Sequence, residues 1–339
     1  MLAVALELLL DLSTHALLVQ GRASAPPALG DGADAPATSD ALPDEVACCG
    51  ASLAAAALGA EGNAQVGVAC TAAQVLAFLP GHIAPSSRLE ALISSIRRHV
   101  GPDGQPAIAS RALSMLPLFM SQLVRAASKG EDACWSCCAD LISQLLKDGQ
   151  AAHVADVGVC VGRLACLRAG SGRVHTWPCR GEGATWQTPA VHIEELVCPH
   201  CDEIPPSGPR TRAESAIQIN PARPAAPAPS RAGAPLSALI RPAWELLARL
   251  PVAESKGRVA LVGALSRLLR HAHPTELARN RDLMVHFVGL LADPAPDVSA
   301  ACAEALPKLL GCPGFVRVVG GLSEHETIDS RTLQHKVSE

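Results

Sequence analysis

Residues 283 to 310 read LMVHFVGLLADPAPDVSAACAEALPKLL, and no other stretch of the chain restricts the fold as strongly. In its first half Leu283, Phe287, Leu290 and Leu291 fall at i, i+4, i+7 and i+8, one stripe of a 3.6-residue helix. Pro294 ends that helix, because it has no amide hydrogen and its ring clashes with the turn before it. Asp297 is placed to accept from the free N–H groups that open a second helix. On that helix Val298, Cys302, Ala305, Leu306 and Leu309 again share a side. Two helices of this length cannot bury both stripes against each other, so the surplus apolar surface calls for similar hairpins stacked alongside.

The same spacing recurs upstream. Leu89, Leu92, Ile93 and Ile96 precede a GPDGQP break, after which Leu113, Leu116, Met120, Leu123 and Val124 form the partner stripe, with Pro117 predicted to kink it. Cys138, Leu141, Ile142, Leu145 and Leu146 pair across a KDGQ turn with Val154, Val157, Val161 and Leu164. Leu236, Leu239, Ile240, Ala243, Trp244 and Leu247 pair across LPVAESKG with Leu261, Leu265, Leu268 and Leu269. Hairpin starts near residues 86, 132, 235 and 276 give steps of about 46 and about 41 residues, the period of large helical-repeat arrays.

Composition agrees with an all-α chain. Hydrophobic residues make up 49% and charged residues 18%, enough for a folded core, while aromatics are 2% with no tyrosine. A core of Leu, Val and Ala suits closely packed helices, whereas sheets recruit β-branched and aromatic residues. The net charge of −4 gives no whole-chain attraction for nucleic acid or an anionic membrane. The thirteen cysteines are odd in number and mostly sit in helical apolar patterns, which fits reduced, intracellular thiols rather than a disulfide framework. The opening MLAVALELLLDLSTHALLVQ lacks a basic n-region and is interrupted by Glu7, Asp11 and His15, so it reads as an amphipathic or buried helix rather than a signal peptide or membrane span.

These features lay the chain out as an amino-terminal helix (1–20), a flexible Ala/Pro/Gly/Asp loop (21–45), helical repeats (46–166), a loop-rich, disordered insertion rich in Gly, Pro, Arg and Cys (167–234), further repeats (235–310), and a tail or truncated repeat (311–339). The absence of an obvious polar cap at the ends suggests one section of a longer protein.

The sharpest chemical feature is Cys198-Pro-His-Cys201, which supplies half of a tetrahedral zinc site; Cys179 with His175 or His192 would supply the rest. The competing reading is a set of reduced loop cysteines, since a second C-x-x-C is missing. Cys134, Cys137 and Cys138, and the adjacent Cys48 and Cys49, read as packed core thiols. Arg267, Arg270, His271, His273, Arg279 and Arg281 form a basic cluster suited to phosphates or an acidic partner, or simply a solvated helix face. HIEE at 192–195 lacks the second histidine of a zincin, and neither GxSxG nor a glycine-rich phosphate loop occurs, so no catalytic residue is expected. Ser121-Gln122 and Ser143-Gln144 match a short kinase preference that a dipeptide meets by chance.

Asp293, Pro294, Asp297 and Val298, with the small Ala301 and Cys302, resemble the intra-repeat turn of a HEAT repeat. Ser299 stands where that family usually carries an arginine, which puts the usual Asp/Arg ladder between neighbouring repeats in doubt. Taken together, KDGQAAHVADVGVCVGRLACL, RPAWELLARLPVAESKGRVALVGALSRLLRHAHP and FVGLLADPAPDVSAACAEALPKLL resemble, in that order, the amino-terminal HEAT region of the ATR checkpoint kinases, of the phosphatidylinositol-3-kinase-related kinase family. The resemblance covers roughly residues 86 to 310, the insertion excepted. It implies an all-α HEAT-like solenoid without cofactor that positions a distant serine/threonine kinase domain and contacts an ATR-interacting protein. It further implies a nuclear setting in DNA-damage checkpoint signalling, with the rest of a larger kinase chain as partner, DNA reached only indirectly, and no membrane. The alternatives are a free-standing HEAT-repeat adaptor and a zinc-containing nucleic-acid-binding module centred on the insertion.

Overall fold

The computed structural model describes residues 2–23, 42–59, 66–126, 131–169, 173–178, 191–197, 217–218 and 236–319. In chain order these form α1 (Leu2–Ala23), α2 (Asp44–Gly59), α3 (Val66–Phe78), α4 (Pro85–Val100), α5 (Pro106–Arg125), α6 (Glu131–Asp148) and α7 (Val154–Arg168). Strands β1 (Arg173–Pro178), β2 (Val191–Val197) and β3 (Ile217–Gln218) follow, then α8 (Ile240–Arg249), α9 (Ser255–His271), α10 (Pro274–Arg279), α11 (Arg281–Gly289), α12 (Pro296–Leu310) and α13 (Pro313–Val319). Among the described residues the packing is predominantly helix on helix. It divides into two compact units, Met1–Cys134 with Gly172–Arg231, and Trp135–Ser171 with Ala232–Glu339.

In the first unit the hairpins α2/α3 and α4/α5 lie side by side, α2 against α4 and α3 against α5, with α1 beyond α3. The alanine-rich sequence makes this possible. Ala69, Ala72, Ala73, Val75, Leu76, Ala77 and Phe78 bury nearly every side of α3, and their small side chains let neighbouring helices approach from several directions. On α2 the buried residues Ala47, Gly50, Ala51, Ala54, Ala57 and Leu58 follow a three-four spacing. That spacing turns Cys48 and Cys49 outward, so the two thiols expected in the core are exposed. On α4 the predicted stripe Leu89, Leu92, Ile93 and Ile96 is buried. α5 runs unbroken through Pro117, which removes one backbone donor without ending the helix. Among the described residues, Pro106–Val124 is the helix long and apolar enough to cross a bilayer; 72% of it is buried, as befits a core helix.

In the second unit α7 packs on α9 and α9 on α12, while α8 closes on α9. The α7–α9 approach depends on glycine. A Cβ at Gly158 would lie 2.8 Å from the carbonyl carbon of Ala260, and one at Gly162 would lie 3.1 Å from Cδ of Arg267. Because 158 and 162 are four apart, both openings face the same neighbour. The turn joining α6 to α7 relies on Gly149, whose φ of 60° lies in the left-handed region and whose amide donates to the Leu145 carbonyl at 3.0 Å. The stripes predicted for α6 (Cys138, Leu141, Ile142, Leu145, Leu146), α7 (Val154, Val157, Val161, Leu164) and α9 (Leu261, Leu265, Leu268, Leu269) are all buried.

The structure departs from the sequence reading in several places. Residues 281–292 are not one continuous helix: α11 tightens into a 3-10 turn at Leu290–Ala292, which rotates Leu291 out of the stripe and leaves it exposed. Trp244 is half-buried rather than core. Within the insertion expected to be loop and disorder, the described residues form a three-stranded antiparallel sheet in the order β2-β1-β3, and most of the rest of 167–234 lies outside the described residues. There Arg173 lies opposite Val197 and Trp177 opposite His192. Polar and β-branched residues alternate in RVHTWP and VHIE, a strand signal that the surrounding glycines and prolines obscure. β3 packs on α1. α13 joins its unit by packing on α10, α11 and α12, and most of the loop assigned to 21–45 lies outside the described residues, as does the tail beyond 319.

Candidate functional site

The turn before α12 is organised by Asp293. Its Oδ1 accepts from the Ala295 amide at 2.9 Å, closing a side-chain-to-backbone turn. Both carboxylate oxygens also receive the guanidinium of Arg258, Nη1 to Oδ1 at 3.0 Å and Nη2 to Oδ2 at 2.5 Å. The pair is almost sealed from water, with side-chain exposures of 9% and 5%. This fork links the second helix of one hairpin to the turn of the next. Arg258 is the fourth residue of α9, as Ser299 is of α12, so the arginine missing at Ser299 is present one hairpin earlier. Position alone would have suggested it, from the GRVAL that opens α9.

Asp297 does not have the role predicted for it. Ala295 occupies the helix-capping position and makes no side-chain cap bond, while Asp297 is exposed in the first turn of α12. There its charge complements the helix dipole. Pro294 is exposed and Val298 fully buried. Ser299 donates its hydroxyl to the Leu291 carbonyl at 2.7 Å, tying the new helix back to the end of the previous one. The first helices of these two hairpins are joined as well, by Trp244 stacked on His286 at 6.0 Å and by Arg241 with Asp282 at 3.6 Å.

The first unit holds a second buried arginine, which the apolar periodicity gave no reason to single out. Arg88 on α4 donates from Nε to the Leu76 carbonyl at 2.8 Å, from Nη1 to Pro80 at 2.7 Å and Ile83 at 2.9 Å, and from Nη2 to Leu76 at 2.5 Å and Leu79 at 2.8 Å. Its guanidinium carbon lies 5.0 Å from the Phe119 ring centroid. Burial lowers its pKa to about 9, which still leaves it charged at neutral pH. The carbonyls at the end of α3 carry partial negative charge and stand in for a carboxylate. A close approach completes the corner: a Cβ at Gly81 would overlap the Gln122 carbonyl.

The metal reading rests on residues the structure describes only in part. Cys179, Cys198 and Cys201 lie outside the described residues, and His175 and His192 fall on β1 and β2. Among the described residues no group of three or more His, Cys, Asp or Glu could hold a metal ion. HIEE lies wholly on β2, so its acids and histidine do not share the helical face a zincin uses. Of the clustered cysteines, Cys134 and Cys138 are buried and Cys137 is exposed. Burial pushes the Cys160 thiol up to about 12 and the Cys302 thiol to about 11, far from the thiolate range that reactive cysteines need.

Three members of the basic cluster are engaged within the fold. Arg279 pairs with Glu276 at 2.7 Å, Arg267 lies along Gly162 of α7, and Arg270 is half-buried beside Cys312. Ser121 and Gln122 are buried. Among the described residues the second unit thus holds packed helical hairpins, two of them joined by a desolvated ion pair and by stacked rings. No protein-family model matches the chain, and no curated protein matches it.

Proposed function

We propose that this chain is a HEAT-like solenoid section of an ATR-like serine/threonine protein kinase, acting without catalysis as a scaffold in DNA-damage and replication-stress checkpoint signalling. The observation that carries the reading is the Arg258–Asp293 fork, which ties one hairpin to the next at the positions where HEAT-like repeats place their ladder. The succession α7, α9, α12 of second helices supports the same architecture. In this reading the mechanism is geometric. Apolar stripes hold neighbouring hairpins in register, and side chains left outside them contact a protein partner of the ATR-interacting kind in the nucleus. DNA is reached only through that partner, and no cofactor takes part.

The test is the size of the native polypeptide, detected in a nuclear extract with an antibody against residues 281 to 310 and followed by peptide mass spectrometry of the band. A band several times heavier than the 35.0 kDa of this chain, with kinase peptides in it, is the expected result. A band at 35.0 kDa would overturn the kinase role and leave a free-standing repeat adaptor.

A further inference from the structure

The outermost helix of the first unit presents an uncovered apolar row. On α1, Leu6 and Ser13 are buried against the unit, while Val4, Leu8 and Leu12 are 67%, 59% and 43% exposed. These three lie at i, i+4 and i+8 on the side opposite the buried one, a straight row about 12 Å long. Glu7 and Asp11 are also exposed and run beside it. Neither acid forms an ion pair among the described residues. Two parallel rows, one apolar and one acidic, make a template for a helix of complementary pattern.

A second copy of this chain is a poor occupant. Antiparallel pairing of two α1 helices would set each acidic row against its own copy. Parallel pairing would face it with Ala5 and Leu9, which offer no countercharge. We infer that the outward face of α1 docks an amphipathic helix of a partner protein, one that carries a leucine-type row flanked by lysine or arginine. Its apolar row covers Val4, Leu8 and Leu12 while its cations meet Glu7 and Asp11. The reading rests on the helical unit alone and holds whichever larger assembly the chain serves.

The test uses the full chain and a labelled synthetic helical peptide with leucines at i, i+4 and i+8 beside a row of lysines, with a twin in which glutamates replace those lysines, read by fluorescence anisotropy. The lysine peptide should bind, more weakly as salt rises, and at least tenfold more weakly to Leu8→Asp. The glutamate twin should bind only the double variant Glu7→Lys with Asp11→Lys, which keeps the apolar row and so decides the matter even if Leu8→Asp fails to fold. Equal binding of the two peptides to the wild-type chain would overturn the proposal. So would failure of both to bind, or concentration-dependent dimerisation of the wild-type chain that Leu8→Asp abolishes, which would make a second copy the occupant.

Discussion

Breaking the Arg258–Asp293 fork one partner at a time tests whether it joins the hairpins energetically. Each of its two bonds is charge-assisted, worth about 1.5–3 kcal/mol. Removing one partner also strands the other charge, nearly free of water, so Arg258→Met and Asp293→Asn should each cost about 3–5 kcal/mol. The asparagine keeps an oxygen for the Ala295 amide; Asp293→Ala loses that too, for roughly 1 kcal/mol more. The double variant Arg258→Met with Asp293→Asn strands no charge and should be little worse than either single change, giving a coupling of about 2 kcal/mol or more. Urea unfolding of the full chain reads the totals, and hydrogen exchange at the amides of α9 and α12 locates them. With a unit of this size each kcal/mol shifts the melting temperature by about 2–4 °C, so a single variant should melt roughly 6–20 °C lower. Additive single effects, or single costs below about 1 kcal/mol, would refute the coupling.

Further expectations concern single positions. Gly158→Ala should destabilise by about 1–3 kcal/mol, because its new methyl meets the Ala260 backbone, whereas Gly67→Ala on α3 meets nothing and should stabilise by about 0.5–1 kcal/mol; thermal melts of the two variants should move in opposite directions. Arg88→Lys keeps a cation but not the fork that reaches four carbonyls, and should cost about 2–3 kcal/mol in denaturant unfolding. His99 has its pKa lowered by burial and then by Arg98, and its Nδ1 accepts from the Gln105 amide at 3.2 Å. The folded state therefore favours the neutral ring, so its contribution is present above the unfolded pKa of about 6.5 and lost as pH falls through the lowered folded value. A stability profile over that range should flatten in His99→Asn. Brief alkylation of the native protein followed by mass spectrometry should label Cys48, Cys49 and Cys137 well before Cys134, Cys138, Cys160, Cys166 and Cys302; prompt labelling of Cys160 would contradict the packing of α7.

Much of the helical framework was legible because apolar period and burial are the same fact seen twice. Leu92, Leu116, Leu141, Val161 and Leu265 each belong to a stripe with apolar residues every third or fourth position, and such a stripe leaves water only if its segment coils as a helix and meets another. The turn at Asp293 was legible as a turn, since Asp-Pro punctuates the chain. Which acid would organise it was not: Asp297 and Asp293 look alike in sequence, and the difference is that Arg258, 35 residues earlier, arrives beside only one of them. The strands of the insertion were hidden because six or seven alternating residues carry little signal beside glycine and proline. The predicted zinc ligands Cys179, Cys198 and Cys201 fall outside the described residues.

By itself, then, the sequence determined that much of the chain coils into paired amphipathic helices, because that outcome depends on local periodicity. Only tertiary structure decided where the charges went. Arg88 reads as one more polar residue on an amphipathic helix until the end of α3 brings the carbonyls of Leu76, Leu79 and Pro80 around it. Gly158 reads as a weak point in α7 until Ala260 is found against it. The opening segment reads as an amphipathic or buried helix, and only the packed unit shows that Leu6 turns inward while Val4, Leu8 and Leu12 stay exposed. In each case the packing of one element on another sets the local dielectric or the free space, and the apolar period of a single helix does not carry that information.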